Sequence, residues 1–273
     1  MGVQQEANMT VEPWRRVNLA AICAQARLLA FDLDTTLARS KTRMDQGMAA
    51  RFAAMTRLRS TAIISGGRFE QFRDQVLDAL PAQADLSSLH LMPTSGTCYY
   101  RWDGSDWRQV YAHDLSAEAR HAAMESLERR ARQLGDWEER TWGPRIEDRG
   151  SQITFSALGQ DAPVEAKEAW DPTNQRKNAL AQAVARDLPD LQVRSGGSTS
   201  VDISAKGIDK AYAIGQLSRI LSIPADSMVF VGDRMDPDGN DYPAALAGTM
   251  ALRVSDPDDT MALLDAMEPL LGA

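Results

Sequence analysis

The chain has 273 residues, of which 44% are hydrophobic and 25% are charged, a composition that predicts a globular protein of one or two domains and excludes long disordered segments. Its formal net charge of −8 argues against a nucleic-acid partner, because binding to a phosphate backbone requires a basic surface. No apolar run approaches the roughly 20 residues of a membrane-spanning helix, and no signal peptide is expected, so we predict a cytoplasmic protein without membrane contact. Cys23 and Cys98 form no metal-binding pattern, so we expect two free thiols.

Residues 1–92 predict an alternation of helices and buried strands after a loose tail over 1–12. Apolar runs of strand length, and apolar residues at helical spacing, indicate helices over 15–27, 44–58 and 68–80 and strands over 28–33, 61–65 and 89–92. An alternation of strand and helix is typical of a parallel sheet with helices on its faces.

A different pattern begins at residue 93. An Asp-Gly turn between two alternating segments predicts a hairpin over 96–112. Further elements are expected as helices over 116–134 and 174–187 and strands over 151–157, 191–194 and 199–203. The strict alternation of apolar and polar residues predicts an antiparallel sheet with one solvated face.

Tryptophans are concentrated in this same segment, at positions 102, 107, 137, 142 and 170. Because large aromatic side chains are usually well buried, we interpret them as the core of a small domain. An alternative interpretation is a wall on which a sugar stacks.

The parallel pattern returns near residue 204. We expect a helix over 209–221, strands over 228–232 and 250–254, and a last helix that begins at Asp256-Pro257, an N-cap followed by a proline in the first turn. The predicted fold is therefore α/β. A discontinuous parallel-sheet core (15–92 and 204–273) receives an inserted α+β domain over 93–203.

Polar residues follow the predicted parallel strands at the points where the strands end. They are Asp32 and Asp34 after the first strand, Ser65 and Gly66 after the second, and Asp233 after the strand over 228–232, with Lys210 in the first turn of the preceding helix. In open parallel sheets ligands bind beyond the carboxyl ends of the strands, so we expect these groups to converge on one crevice.

This set of residues predicts phosphoryl-transfer chemistry. The three acids would repel one another unless a hard divalent cation, in the first place Mg²⁺, took their oxygens as ligands. The hydroxyl of Ser65, the amide of Gly66 and the ammonium of Lys210 can donate to a phosphate. A metal, a lysine, backbone donors and a covalent aspartyl-phosphate can together accelerate the very slow hydrolysis of a phosphomonoester.

Four motifs occur in the order of the haloacid dehalogenase (HAD) superfamily. They are DLDTT at 32–36, the apolar strand that ends in Ser65, the amine of Lys210, and GDRMDPDGND at 232–241. The sequence resembles the capped class-IIB branch, because the inserted domain lies between the second and third motifs. The long fourth motif and RIEDRGSQITFSALG at 145–159 look like eukaryotic-type phosphomannomutases and their bacterial relatives. This resemblance implies a Rossmann-like HAD core with a C2-type cap.

The resemblance also implies roles for the matching core residues. Asp32 is the nucleophile, and Asp34 is the general acid–base, whose backbone carbonyl also binds Mg²⁺. Ser65, Gly66 and Lys210 hold the transferring phosphoryl group, and Lys210 also counts among the catalytic residues. The implied metal residues are Asp32, Asp34, Asp233 and Asp241.

In the cap, the resemblance assigns substrate binding to Arg149, Ser200 and Asp202, which match positions that hold the distal part of a phosphosugar. Gln160 stands in this region where the mutases carry an arginine, and a mutase needs such a cation to bind a bisphosphate; Arg145 or Arg194 is an alternative source of that cation. An alternative is that Arg149 and Asp202 simply pair across the cap sheet. Thr35 replaces the usual glycine of the first motif, where a side chain could crowd the turn.

Three functions remain open from the sequence. The first is a Mg²⁺-dependent phosphatase that hydrolyses a sugar phosphate or a similar small phosphorylated metabolite. The second is a phosphohexomutase of phosphomannomutase type, and the third is an inactive binding protein on the same fold. The resemblance also implies that the cap could pair with a second copy as a homodimer.

Overall fold

The computed structural model describes residues 10–196, 198–237 and 239–272, so most of the predicted tail over 1–12 lies outside the described residues. The chain divides into two compact units. The core unit holds the residues up to Val110 and from Asp209 onward, and the inserted unit is Tyr111–Ile208. The sequence predicts the start of the inserted segment at residue 93, whereas the core unit continues to Val110, which includes most of the hairpin that follows this position.

Strands occupy both units. Within the described residues they are β1 (Leu28–Phe31), β2 (Ser60–Ile64), β3 (Leu89–Met92), β4 (Cys98–Trp102), β5 (Trp107–Ala112), β6 (Ile146–Asp148), β7 (Gln152–Ser156), β8 (Leu191–Ser195), β9 (Ser200–Ala205), β10 (Met228–Gly232) and β11 (Met250–Arg253).

Helices connect these strands. They are α1 (Leu19–Gln25), α2 (Gln46–Leu58), α3 (Phe69–Gln75), α4 (Ala117–Leu134), α5 (Val164–Trp170), α6 (Gln175–Asp187), α7 (Lys210–Leu221), α8 (Tyr242–Leu246) and α9 (Pro257–Leu271). The helix predicted over 68–80 is shorter than expected, since α3 ends at Gln75 and a 3-10 turn follows at Leu77–Ala79.

A seven-stranded sheet forms the centre of the core unit, in the order β11-β10-β1-β2-β3-β4-β5. The five strands from β11 to β3 are parallel, as the alternating pattern predicts. β4 then pairs antiparallel with β3. The hairpin β4–β5 therefore extends the core sheet, and the sequence interpretation that placed it in the cap is wrong. Its alternating pattern is equally suited to the edge of a larger sheet.

Both faces of this sheet are covered. Leu29 and Phe31 of β1 belong to an apolar cluster with α2, where Phe31 meets the ring of Phe52 at 5.5 Å. Successive strand residues point to opposite faces. On the other face, the amine of Lys210 at the start of α7 lies 5.4 Å from the ring centre of Phe230. The predicted α/β architecture is thus confirmed, and β1 lies at its middle.

The inserted unit contains a four-stranded antiparallel sheet in the order β6-β7-β9-β8. Its apolar face, including Ile153 and Phe155, packs in a cluster with residues of α4 and α6. On the alternate positions, Gln152 and Thr154 are also buried. The solvated face expected from the alternation is therefore not found at these two positions, where polar side chains bond to one another instead.

The tryptophans divide between the units. Trp102 and Trp107 belong to the core-unit hairpin, where their rings lie 5.7 Å apart. Trp137 stacks on Phe155 in the inserted unit. Trp142 is 48% exposed. Trp107, Trp137 and Trp170 pack against apolar clusters, which favours the core interpretation for these three.

Two further sequence expectations concern compartment and redox state. Among the described helices, none combines the length and the apolar character that crossing a bilayer requires. Cys23 and Cys98 are both free cysteines, as predicted. The cytoplasmic location stays a prediction.

His90 makes a buried polar connection inside the core-unit sheet. Its ring nitrogens lie 2.8 Å from the hydroxyl of Tyr99 and 2.9 Å from that of Ser60. Burial lowers the pKa of His90 to about 4, because desolvation disfavours the charged ring, and Arg101 adds to this effect. The native protein therefore holds His90 neutral at a pH where an unfolded chain would protonate it.

We expect this difference to make stability depend on pH. Between the ordinary histidine pKa of 6.5 and the folded value of about 4, the unfolded chain binds more protons, so the free energy of unfolding should fall as the pH falls. The contribution of His90 to this fall should reach on the order of 3 kcal/mol. Urea denaturation over this range should show a shallower fall for His90→Gln. Equal slopes for both proteins would contradict the assignment.

Candidate active site

Asp32 stands at the carboxyl end of β1, the middle one of the five parallel strands. Its N–H donates to the carbonyl of Val231 at 2.9 Å, so the ladder between β1 and β10 continues to this residue. Asp233 follows β10, and the register pairs Phe31 with Val231. The two carboxylates therefore leave neighbouring parallel strands at the same edge of the sheet.

Asp241 joins them from the loop after β10, where it is fully buried. One of its oxygens accepts from the N–H of Arg234 at 3.0 Å. A Cβ at Gly232 would lie 2.4 Å from Asp241 Oδ2, so a glycine is needed for this carboxylate to reach the strand end. Carboxylate oxygens of Asp32, Asp233 and Asp241 lie within 4.8 Å of one another.

Lys210 places a cation inside this acidic cluster. It is the first residue of α7, and the carboxylate of the N-cap Asp209 accepts from the N–H of Tyr212 at 3.1 Å. The Lys210 ammonium donates to both Asp32 and Asp241, and its side chain is 2% exposed. A buried ammonium bonded to two carboxylates offsets much of their mutual repulsion.

The members of the cluster shift one another's pKa values. Burial raises the pKa of Asp32 well above its ordinary value, although Lys210 opposes the shift. Burial, followed by the charge of Asp241, raises the pKa of Asp233 to about 6. Burial would lower the pKa of Lys210, but Asp241 and Asp32 raise it above its ordinary value. Asp32 and Asp233 thus resist ionisation, while Lys210 is the cation beside Asp32.

A divalent cation fits the donor atoms of this cluster. Three carboxylates face one ammonium, so ionisation of all three would leave an excess of negative charge. Carboxylate oxygens are the ligands that hard divalent cations prefer. The sequence prediction of a metal site is compatible with this geometry at Asp32, Asp233 and Asp241. The carboxylate of Asp34 is directed to other partners.

Three donors hold the side chain of Asp34. Oδ1 accepts from the N–H of Lys41 at 2.7 Å and from Gln75 Nε2 at 3.2 Å. Oδ2 accepts from Gln71 Nε2 at 3.4 Å. Neither glutamine is among the site residues predicted from the sequence motifs. Their spacing of four residues on the helix after the second motif was a usable signal, because residues four apart share a helix face.

Ser65 and Gly66 follow β2, which lies directly beside β1 with Ile63 opposite Phe31. The Ser65 hydroxyl accepts from the N–H of Gly67 at 3.3 Å. Ser65 is buried, and its carbonyl accepts from the N–H of Ser95 at 2.9 Å. This loop therefore lies at the same sheet edge as the acids.

Two of the substrate residues expected in the cap, Ser200 and Asp202, lie on β9 of the inserted unit. The register places Ser200 opposite Ser156 and Asp202 opposite Thr154. Asp202 Oδ1 accepts from the hydroxyl of Thr154 at 2.7 Å. Two residues apart on one strand, Ser200 and Asp202 project to the same face of this sheet.

The other two, Arg149 and Gln160, lie on either side of β7. Arg149 donates twice to Glu147 Oε2, at 2.9 Å from Nε and 2.6 Å from a terminal nitrogen. The alternative that Arg149 pairs with Asp202 is thereby corrected: its carboxylate partner is Glu147, which precedes it by two residues. The carbonyl of Gln160 accepts from the ammonium of Lys167 at 2.9 Å.

Thr35 occupies a left-handed conformation within the first motif, with φ at +68°. A β-branched residue is strained in this region, where glycine is unstrained. The N–H of Thr35 bonds to the carbonyl of Ala38 at 2.6 Å, which closes the turn. The turn thus holds Thr35 in a backbone conformation that suits glycine better than threonine.

We expect Thr35→Gly to stabilise the protein, because glycine relieves this strain. The free energy of unfolding should rise by up to about 1 kcal/mol, measured by urea denaturation. The matched control is Thr141→Gly, since Thr141 is not among the residues with positive φ. There the glycine should lower stability by adding freedom to the unfolded chain. A loss of stability in Thr35→Gly would show that the turn does not strain this threonine.

The chain is similar in sequence to phosphomannomutases. The family model of eukaryotic phosphomannomutase matches residues 138–268. A phosphomannomutase from Encephalitozoon cuniculi is 25% identical over 252 residues, which cover 90% of this chain and 94% of the relative.

Solved structures show the same fold at lower identity. Plasmodium falciparum IMP-nucleotidase matches with a TM-score of 0.68 at 16% identity, over 92% of this chain and 71% of that one. Aspergillus fumigatus trehalose-6-phosphate phosphatase matches with a TM-score of 0.54 at 14% identity, over 95% of this chain and 100% of that one. The predicted resemblance to phosphomannomutases is thus confirmed in sequence, and the chain shares its fold with the two solved structures.

Proposed function

We propose that this chain is a Mg²⁺-dependent phosphatase of small phosphomonoesters, sugar phosphates in the first place, which acts through an aspartyl-phosphate. The observation that supports it most is the buried ammonium of Lys210, bonded to Asp32 and Asp241 within the acidic cluster. Phosphoryl transfer needs a nucleophilic carboxylate, a fixed cation and further oxygen ligands close together, and this sheet edge holds all three kinds of group.

In the first proposed step, a carboxylate oxygen of Asp32 forms a bond to phosphorus while the ester P–O bond breaks. Asp34 gives its carboxyl proton to the leaving oxygen. In the second step, the carboxylate of Asp34 takes a proton from water, the water oxygen attacks phosphorus, and the bond to Asp32 breaks. Inorganic phosphate leaves, and both acids return to their starting states.

The remaining core residues hold the transferring group. The ammonium of Lys210 keeps the Asp32 carboxylate in place and faces negative charge that builds up on the phosphoryl oxygens. Ser65 and Gly66 donate a hydroxyl and an amide to the same oxygens. Asp32, Asp233, Asp241 and the carbonyl of Asp34 would hold Mg²⁺, which would supply positive charge to the phosphoryl group.

We further propose that the inserted unit is the cap that selects substrate. Arg149, Ser200 and Asp202 are assigned to the part of the substrate distant from the phosphate, and Gln160 lies in the same region. The E. cuniculi relative is named a phosphomannomutase, and A. fumigatus trehalose-6-phosphate phosphatase is named for a sugar phosphate, which favours sugar phosphates as the first substrates to test. Pairing of two caps in a homodimer also stays a proposal.

Phosphomannomutase activity is the second candidate, and it is favoured by the family match and by the E. cuniculi relative. A mutase must bind a hexose bisphosphate in two orientations. Gln160 offers a neutral side chain where the mutases carry an arginine, so a second phosphate would lose a charge partner. This substitution makes hydrolysis the first choice.

The test is a phosphate-release assay over hexose phosphates, trehalose-6-phosphate and IMP, with Mg²⁺ and with a chelator. We expect Mg²⁺-dependent release that Asp32→Asn lowers by at least about a thousandfold, as loss of a covalent nucleophile does elsewhere. The matched control is Asp226→Asn, which removes an exposed carboxylate of the same unit and should leave turnover unchanged. Full turnover by Asp32→Asn would exclude the aspartyl-phosphate. No turnover of any substrate would favour a binding protein.

A second assay separates phosphatase from mutase. The protein is incubated with mannose-1-phosphate and a hexose bisphosphate, and both free phosphate and mannose-6-phosphate are measured. Release of phosphate alone supports the proposed hydrolysis. Formation of the isomer without phosphate release would replace it with the mutase reaction.

A further inference from the structure

Gln75, the last residue of α3, joins three parts of the core unit. Its Nε2 donates to Asp34 Oδ1 at 3.2 Å and to the carbonyl of Thr42 at 2.9 Å. Its own carbonyl accepts from the N–H of Met44 at 2.8 Å. The side chain is 3% exposed, so these bonds are shielded from water. Gln75 thus fixes the carboxylate of Asp34 relative to α3 and to the segment around Thr42.

The amide of Gln75 has one orientation that suits its surroundings. In this orientation both Nε2 protons face oxygens, while Oε1 is buried without a hydrogen-bond partner among the described residues. The reverse orientation would set Oε1 against the carboxylate of Asp34 and the carbonyl of Thr42, which are both acceptors. An unpaired buried oxygen lowers stability. The bond to Asp34 is therefore kept although Oε1 goes without a partner.

Two further donors complete the hold on Asp34. Gln71 lies one helical turn before Gln75 and donates to Oδ2 at 3.4 Å. The N–H of Lys41 donates to Oδ1 at 2.7 Å from a backbone with φ at +55°, a conformation that residues other than glycine seldom adopt. Within the part of the chain that the structure describes, Oδ1 thus accepts from two donors and Oδ2 from one, which leaves Oδ2 as the oxygen with room for a proton.

We propose that Gln75, with Gln71, is a positioning residue that aims Oδ2 of Asp34 for proton transfer; this inference rests on the proposed function. In the first step the proton on Asp34 passes to the ester oxygen as its P–O bond breaks and the bond from Asp32 to phosphorus forms. A displacement of about 1 Å can slow such a step by about a hundredfold. The glutamines hold the carboxylate against that displacement.

Two esters of similar shape test this inference. Nitrophenolate leaves p-nitrophenyl phosphate without a proton, whereas the alcohol of benzyl phosphate needs one. We expect Gln75→Met to lower kcat/KM for benzyl phosphate by about 10- to 100-fold, with most of the loss in kcat, and for p-nitrophenyl phosphate by less than about 3-fold. Gln71→Met, at a half-buried position, should give a smaller loss of the same kind and serves if Gln75→Met does not fold.

Control variants separate the possible outcomes. Thr56→Val removes a hydroxyl that is as buried as Gln75 but lies elsewhere in the core unit. It should lower the free energy of unfolding without changing the ratio of kcat/KM between the two esters. Asp34→Asn should also lower kcat/KM for benzyl phosphate more than for p-nitrophenyl phosphate, and by a larger factor than Gln75→Met. Equal losses of kcat/KM on both esters in the glutamine variants, or no loss of kcat/KM, would overturn the inference. Turnover by Asp32→Asn would instead overturn the proposed function.

Discussion

The ammonium of Lys210, enclosed between the carboxylates of Asp32 and Asp241, is the interaction on which the site depends. All three side chains are buried, and burial alone opposes every one of these charges. Removing one partner from such a pair leaves an uncompensated buried charge, which costs about 3–5 kcal/mol in other proteins. The positive charge of Lys210 and the negative charge beside it therefore stabilise each other. The same condition that allows these acids to be buried also places a cation beside the proposed nucleophile.

The backbone brings these groups together through neighbouring parallel strands. The register of β1 with β10 sets Asp32 and Asp233 side by side, and Gly232 leaves the space that Asp241 occupies. Lys210 reaches the cluster from the start of α7, against the opposite face of the sheet from α2. A hydrophobic core thus determines the positions of charged groups whose mutual contacts would not form in water on their own.

Much of the fold and the centre of the site could be predicted from the sequence, because both follow from strong and local patterns. Long apolar runs marked β1 and β10, and the acids stood directly after them. The short elements β6, α5 and α8 were missed, since a few residues give too little periodicity to recognise. The hairpin β4–β5 was recognised but placed in the wrong unit, because alternation does not identify the sheet to which a strand belongs.

Sequence patterns could not predict which partners the polar side chains bond to. The bonds from Gln71 and Gln75 to Asp34 depend on how α3 packs beside the first motif, which no motif encodes. Arg149 pairs with Glu147 because residues two apart at the end of a strand project to the same side. This local ion pair competes with any partner of Arg149 across the sheet. Such contacts depend on distances between elements, whereas motifs record only the residues within one element.

Direct detection of the covalent intermediate is the most decisive measurement. The protein would be mixed with Mg²⁺ and a phosphomonoester that it turns over, quenched in acid within the first turnover, digested, and examined by mass spectrometry. The account predicts one phosphoryl group on the peptide that contains Asp32, and none on that peptide from Asp32→Asn. A phosphoryl group on another residue, or rapid turnover with no modified peptide at any quench time, would contradict it.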